Sequence, residues 1–74
     1  MSINPIAPNQ TEVTTNNGTR VFVSYKTPVA AFVPGTGYIR SEEYYSKTTS
    51  SHINKWLGGV ESAKVPQSEI DKLI

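Results

Sequence analysis

Apolar and polar residues alternate along much of the first two thirds of the chain, and this alternation predicts strands. Asn16-Asn17-Gly18 is the strongest hairpin signal, because Asn and Gly both tolerate the positive φ angles of a type I′ turn. The turn would join a strand at 12–15 to a strand at 19–25. Both faces of the second strand carry apolar residues, as in a strand near the middle of a sheet.

Three further signals divide the segment that follows. Thr27-Pro28 interrupts the strand because proline has no backbone donor, and an apolar run at 29–33 predicts the next strand. Pro34-Gly35-Thr36-Gly37 predicts a turn. Alternation resumes over 38–45 and predicts another strand, although Glu42-Glu43 would also suit a turn or a bulge.

The pattern changes to a helical period after this point. Hydroxyl residues at 46–51 are candidate N-caps, and Gly58-Gly59 favours a helix end, which predicts a helix over 50–57. Its apolar stripe is Ile53, Trp56 and Leu57. A second short helix is predicted over 66–74, with proline at its first position.

These elements predict an α+β fold, a three- to four-stranded antiparallel sheet with one helix packed across it and a short C-terminal helix. Residues 1–10 lack periodicity and are expected to form a flexible N-terminal arm, which leaves 11–74 as one small α+β domain. Trp56 is the expected centre of the core. Its expected neighbours are Ile53, Leu57, Val21, Val23, Phe32 and Ile39.

The 74-residue length and the composition restrict the chemistry that the chain can carry. A core this small is thin, so a partner or a second copy would help to stabilise it. The chain has no cysteine and one histidine, so we expect neither a disulfide nor a metal site, and no cofactor. No apolar run is long enough to cross a bilayer, which makes a cytoplasmic protein without membrane contact the expectation.

One polar surface is the predicted binding face. The first turn of a helix offers unpaired N–H groups, and nearby hydroxyls and a lysine would add donors for an anion. The alternative interpretation is that one hydroxyl caps the helix and the other hydroxyl residues are solvated. The predicted face consists of Arg40, Lys47, Thr48, Thr49, Ser51, His52, Asn54 and Lys55.

The remaining polar and aromatic residues allow two other interpretations. The four tyrosines and the nearby Lys and Arg residues would suit a platform on which nucleobases stack. A core this thin, however, needs most of its aromatic side chains inside. A catalytic set can be assembled with Ser50 or Ser51 as the nucleophile, His52 as the base, and Glu42 or Glu43 as the acid. Adjacent helix positions point in different directions, so we expect no enzyme.

Three segments together resemble a known family. They are Val-Ser-Tyr-Lys-Thr-Pro-Val-Ala-Ala at 23–31, Tyr-Ile-Arg at 38–40, and Tyr-Ser-Lys-Thr-Thr-Ser-Ser-His-Ile-Asn-Lys-Trp-Leu at 45–57. Over about residues 20–57 the chain resembles a small, uncharacterised family encoded largely by bacteriophages and prophages. The resemblance implies a bacterial cytosol and a small accessory product, and it implies no catalytic chemistry or site residues.

The expected function is therefore non-enzymatic binding of a host or phage protein, for example as an inhibitor of a host or defence factor. The alternative is binding of single-stranded nucleic acid or a small nucleotide through Lys47, Arg40, His52 and the tyrosines. Clustering of positive charge on one concave face would favour the alternative. A hairpin arm or an exposed edge strand would also allow a homodimer.

Overall fold

Six strands in sequential order form one mixed sheet with a helix on each face. The computed structural model describes residues 1–74. The strands are β1 (Ser2–Ala7), β2 (Gln10–Thr14), β3 (Arg20–Ser24), β4 (Thr27–Val33), β5 (Gly37–Ser41) and β6 (Ala63–Val65). The helices are α1 (Lys47–Leu57) and α2 (Gln67–Asp71). Neighbouring strands are antiparallel except β5 and β6, which are parallel.

The predicted α+β class is confirmed, but the predicted count of three to four antiparallel strands is wrong. The two unpredicted strands, β1 and β6, form the edges of the sheet. β1 lacks alternation and contains Pro5, and β6 has only three residues. Both strands form through pairing with a neighbour, which no local pattern reveals.

The N-terminal segment pairs with the sheet. β1 lies antiparallel to β2, with Ile3 opposite Val13 and Pro5 opposite Thr11. This pairing corrects the irregular conformation expected for residues 1–10, while the flexibility of the segment stays a prediction. All six residues of β1 are exposed, so pairing rather than burial holds the strand in place.

The two hairpins with glycine signals form where the sequence predicts them. In the β2–β3 turn only Gly18 has a positive φ (90°), and Thr15 N–H donates to Thr19 O at 2.8 Å. The loop therefore has three residues and a glycine bulge instead of the expected type I′ turn. In the β4–β5 turn Thr36 N–H donates to Val33 O at 2.9 Å and Gly35 has φ 84°, as in a type II turn.

β5 ends at Ser41, four residues before the predicted strand end. Glu42 and Glu43 form a bend, in which Glu43 N–H donates to the Ser41 hydroxyl at 3.1 Å. The alternative reading of Glu42-Glu43 as a turn is therefore the correct one.

α1 begins three residues earlier than predicted. Ser46 is the N-cap, and its hydroxyl accepts from Thr49 N–H at 3.0 Å. Gly58 closes the helix in the left-handed conformation with φ 64°, as predicted. The earlier start makes Thr49 part of the buried stripe with Ile53 and Leu57. α2, in contrast, is shorter than predicted. No helix of the chain has the length and apolarity to cross a membrane.

Two apolar clusters lie on opposite faces of the sheet. On the α1 side, Phe22 and Ala30 pack with Ile53 and Leu57. On the α2 side the buried residues are Val21, Ala31, Ile39 and Ile70. Successive residues of a strand point to opposite faces, which places Val21 and Phe22 in different clusters.

The expectation that Trp56 is the centre of one core is wrong. Trp56 is half-buried at the border of the α1-side cluster, whereas Phe22 below it is fully buried. Val21, Val23 and Ile39 were expected around Trp56, but they pack in the other cluster. A sheet covered on both faces divides its apolar residues in this way, and the expected fold had only one covered face.

Candidate binding surface

The residues of the predicted binding face do not form one surface. Thr49 is buried, at 6% exposure, so it is not available to a ligand. His52 points towards the end of β3, whereas Asn54 points towards β5. The exposed members on α1 are Lys47, Thr48, Ser51, Asn54 and Lys55.

The β5 side of α1 carries a small basic group. Arg40 Nη1 donates to Asn54 Oδ1 at 3.2 Å, and the Nε of Arg40 is buried without a hydrogen-bond partner. Lys64 of β6 lies opposite Arg40 in the parallel pairing and therefore on the same face. The structure thus brings together Arg40 and Asn54 from the predicted set and adds Lys64, which sequence reasoning missed.

His52 contacts the end of β3. Its Nδ1 lies 3.0 Å from the Ser24 hydroxyl, and its ring lies 6.0 Å from the ring of Tyr25. The hydroxyl at His52 therefore comes from Ser24 rather than from Ser50 or Ser51. Ser24 is only 2% exposed, so this contact fixes the imidazole against the sheet.

Tyr25 has an unusual backbone conformation for an aromatic residue. It begins the tight turn between β3 and β4 with φ 58°, in the left-handed region, and its side chain is 53% exposed. This conformation costs a non-glycine residue about 1–2 kcal/mol. Tyr25 N–H donates to Asn9 O at 2.7 Å, and Asn9 is also left-handed. The turn at Tyr25 is therefore held against the turn between β1 and β2.

A cleft opens beside these two turns, between the β1–β2 hairpin and α1. Its volume is about 270 Å³, and Ile6, Ala7, Gln10, Lys55 and Trp56 line it. Ile6 is 49% exposed. His52 lies one turn before Lys55 on α1, and the Tyr25 ring lies 6.0 Å from the His52 ring. Both residues therefore extend the surface around the cleft. We call these seven residues the cleft surface.

Two contacts with β2 and β3 hold Trp56 in the wall of the cleft. Its ring stacks on Phe22 at a centroid distance of 5.3 Å and an interplanar angle of 14°. Its Nε1 donates to Glu12 Oε1 at 3.0 Å. The indole is thus fixed by a buried aromatic of β3 and a carboxylate of β2.

The tyrosines do not form one platform on which nucleobases could stack. Tyr25 lies against His52, and Tyr45 donates to Gln67 at 2.6 Å. Tyr38 packs on Phe32 and on the edge of Trp56. No ring contact joins one tyrosine to another.

Tyr38 of β5 belongs to a second aromatic group, which also contacts Trp56. Arg20 donates to its hydroxyl at 3.2 Å and lies 5.0 Å above the Phe32 ring. A more open depression of about 480 Å³ adjoins Tyr38 and is also lined by Glu61 and Ser62. Its polar lining and open shape make it a weaker candidate than the cleft.

Sequence reasoning found His52 and Lys55 of the cleft surface and missed the role of the other five residues. Ile6, Ala7 and Gln10 reach the cleft only because β1 pairs with β2. Tyr25 lies in a turn without Gly, Asn or Asp, so no turn signal marked it. The chain holds no group of three or more His, Cys, Asp or Glu residues arranged for a metal ion.

Comparison with known proteins identifies a family but no characterised relative. No curated protein and no solved structure is significantly similar to the chain. A family model covers nearly the whole sequence, at residues 1–72. The chain therefore belongs to the family of unknown function DUF8033.

Proposed function

We propose that the chain is a non-enzymatic binding protein that captures a protein partner through the cleft surface. The observation that carries this proposal is the cleft itself, an apolar recess with Trp56 in its wall and the exposed Tyr25 ring beside it. Trp and Tyr are enriched among the residues that dominate protein–protein binding energies. A half-buried Trp beside an exposed Ile, with an exposed Tyr on the adjoining turn, fits such an interface.

The rigidity of this surface supports the proposal. Trp56 is fixed by Phe22 and Glu12, and His52 by Ser24. Tyr25 is held in a strained backbone conformation, and strain of this kind concentrates at functional sites. Side chains that are already ordered lose little entropy when a partner binds, which increases affinity.

The resemblance at residues 45–57 suggests the biological setting. It favours a phage or prophage origin, a bacterial cytosol and a partner that is a host or phage protein. The chain would inhibit a host or defence factor if it covers the active site or the binding site of that partner.

Photo-crosslinking tests this proposal directly. A photoreactive amino acid replaces Ile6 in one sample and Val60 in the other, because these residues are similarly exposed, at 49% and 46%. In bacterial lysate, the Ile6 position should give a discrete crosslinked protein that the Val60 position does not give. Equal crosslinking from both positions, or none from Ile6, would reject the cleft as the binding surface.

A specific observation also favours the nucleic-acid alternative. Five of the seven basic residues lie on α1 or on the sheet face below it, namely Arg20, Arg40, Lys47, Lys55 and Lys64. Glu12 is the one acidic residue on those elements and that face. This segregation of charge is the feature that phosphate binding needs.

Nucleic-acid binding would depend on the β5 side of α1 rather than on the cleft. Titration with single-stranded oligonucleotides at low salt should then show binding that weakens steeply as salt rises. Lys47→Ala and Lys64→Ala should each weaken it, and Ile6→Asp should weaken it no more than Val60→Asp does. Absence of binding at low salt rejects this alternative.

A further inference from the structure

We infer that the occupant of the cleft is a short acidic segment of the partner protein, which inserts one bulky apolar side chain beside Trp56. This inference rests on the proposed function and specifies the chemistry of the partner. It follows from the size of the cleft, from its lining and from the charges around it.

The size of the cleft limits the occupant. At about 270 Å³ it is smaller than the roughly 300–1,000 Å³ typical of small-molecule sites. It is open to solvent, so a side chain can enter while its backbone stays outside. The lining by Ile6, Ala7 and Trp56 favours an aliphatic or aromatic side chain.

The charges around the cleft select an acidic neighbour for that side chain. Lys55 lines the cleft and Lys26 follows Tyr25 in the adjacent turn, and neither forms a salt bridge. The only salt bridge of the chain joins Lys72 and Glu69 on the α2 side. Glu12 accepts from the indole of Trp56 but does not line the cleft, whose lining contains no acidic residue. An acidic segment would therefore meet two lysines without an ionic partner.

Two further side chains of the cleft surface, Gln10 and Tyr25, would contact the bound segment in ways that the lysines cannot. Gln10 offers an amide to the peptide backbone at the rim, and the exposed Tyr25 ring covers the side of the segment. Complementary charge mainly increases the association rate and fixes the register, while the apolar anchor supplies most of the affinity.

Selection from a library of short random peptides displayed on a surface tests the inference. The folded chain should enrich peptides that combine an excess of Asp and Glu with one Leu, Ile, Phe or Trp. A selected peptide without Trp should then change the fluorescence of Trp56, the only Trp of the chain, in a saturable titration.

Matched variants assign the two parts of the recognition. Lys55→Glu should weaken the affinity for the selected peptide about tenfold or more. Lys72→Glu, the same charge change on the α2 side, should have little effect on this affinity. Ile6→Asp should abolish binding, and Val60→Asp should not. Selection of basic or uncharged peptides, equal effects of Lys55→Glu and Lys72→Glu, or failure to select any peptide would overturn the inference.

These results separate the inference from the proposed function. If the Ile6 position crosslinks a partner but the crosslinked segment carries no acidic residues, the acidic-segment inference fails and the proposed function stands. If crosslinking shows no preference for Ile6 over Val60, the proposed function itself fails.

Discussion

The indole Nε1 of Trp56 donates a hydrogen bond of 3.0 Å to Oε1 of Glu12, and this bond joins the last turn of α1 to β2. It orients the indole that forms part of the wall of the cleft. A single contact thus links the stability of the helix to the geometry of the cleft surface.

Loss of this acceptor should destabilise the protein and loosen the indole. We expect Glu12→Ala to lower the free energy of unfolding by about 1 kcal/mol, the typical net contribution of a partly buried hydrogen bond. Glu12→Gln keeps an acceptor and should cost less. Urea unfolding followed by circular dichroism measures both. Equal midpoints for Glu12→Ala and the wild type would contradict this role of Glu12.

Phe22, rather than Trp56, should be the side chain on which folding depends most. Phe22 is fully buried on the α1 side, and removal of a buried Phe costs about 3–5 kcal/mol. That is a large part of the total stability of a domain this small, about 0.05–0.15 kcal/mol per residue. Phe22→Ala should therefore be largely unfolded, while Trp56→Ala stays folded with a lower melting temperature.

Phe22→Leu keeps the comparison measurable if Phe22→Ala cannot be purified. This change should cost about 1 kcal/mol, because the volume is mostly retained. Thermal unfolding by circular dichroism compares the three variants. A lower melting temperature for Trp56→Ala than for Phe22→Ala would restore Trp56 as the centre of the core.

Replacement of Tyr25 should weaken binding without lowering the stability of the fold. Asn tolerates the left-handed conformation that Tyr25 adopts, so Tyr25→Asn should leave the stability unchanged or increase it by up to about 1 kcal/mol. The same change removes the exposed ring and should weaken partner or peptide binding. Calorimetric melting and the fluorescence titration measure the two effects. A clear loss of stability would show that the Tyr25 ring contact with His52 outweighs the strain.

The edge of β1 should resist pairing with a second copy. Thr15 N–H bonds to Thr19 O, so by alternation Val13 directs its backbone groups to β3 and Glu12 directs its groups to β1. Asn4, opposite Glu12, then faces β2.

By the same alternation, Ile3 and Pro5 face the open side of β1. Pro5 has no N–H to donate there, and proline on an edge strand is a known protection against pairing between chains. We therefore expect a monomer at micromolar concentration. Pro5→Thr should restore the missing donor and produce self-association that grows with concentration in sedimentation velocity. A wild-type dimer that Pro5→Thr leaves unchanged would contradict this account of the edge.

The parts of the fold that the sequence predicted are those with local causes. Gly18 and Pro34-Gly35 mark turns because their backbone preferences are intrinsic, and Ser46 and Gly58 bound α1 by capping. β1 and β6 escaped prediction because β1 lacks alternation and β6 has only three residues, so each is defined by its pairing with a neighbouring strand.

The candidate site was predictable only in part for the same reason. His52 and Lys55 stood out as polar residues of an amphipathic helix, and both lie on the cleft surface. Ile6 comes from a segment that was expected to be a flexible arm, and Tyr25 from a turn without a turn residue. A cleft between a hairpin and a helix exists only once these segments are assembled.

The most direct test of the central claim is quantitative capture of the crosslinked partner by purified variants of the chain. Ile6→Asp should reduce capture about tenfold or more relative to Val60→Asp, with both variants equally folded by circular dichroism. The two positions are similarly exposed, so the comparison isolates the cleft from the general effect of a new surface charge. Equal capture by Ile6→Asp and Val60→Asp would contradict the account.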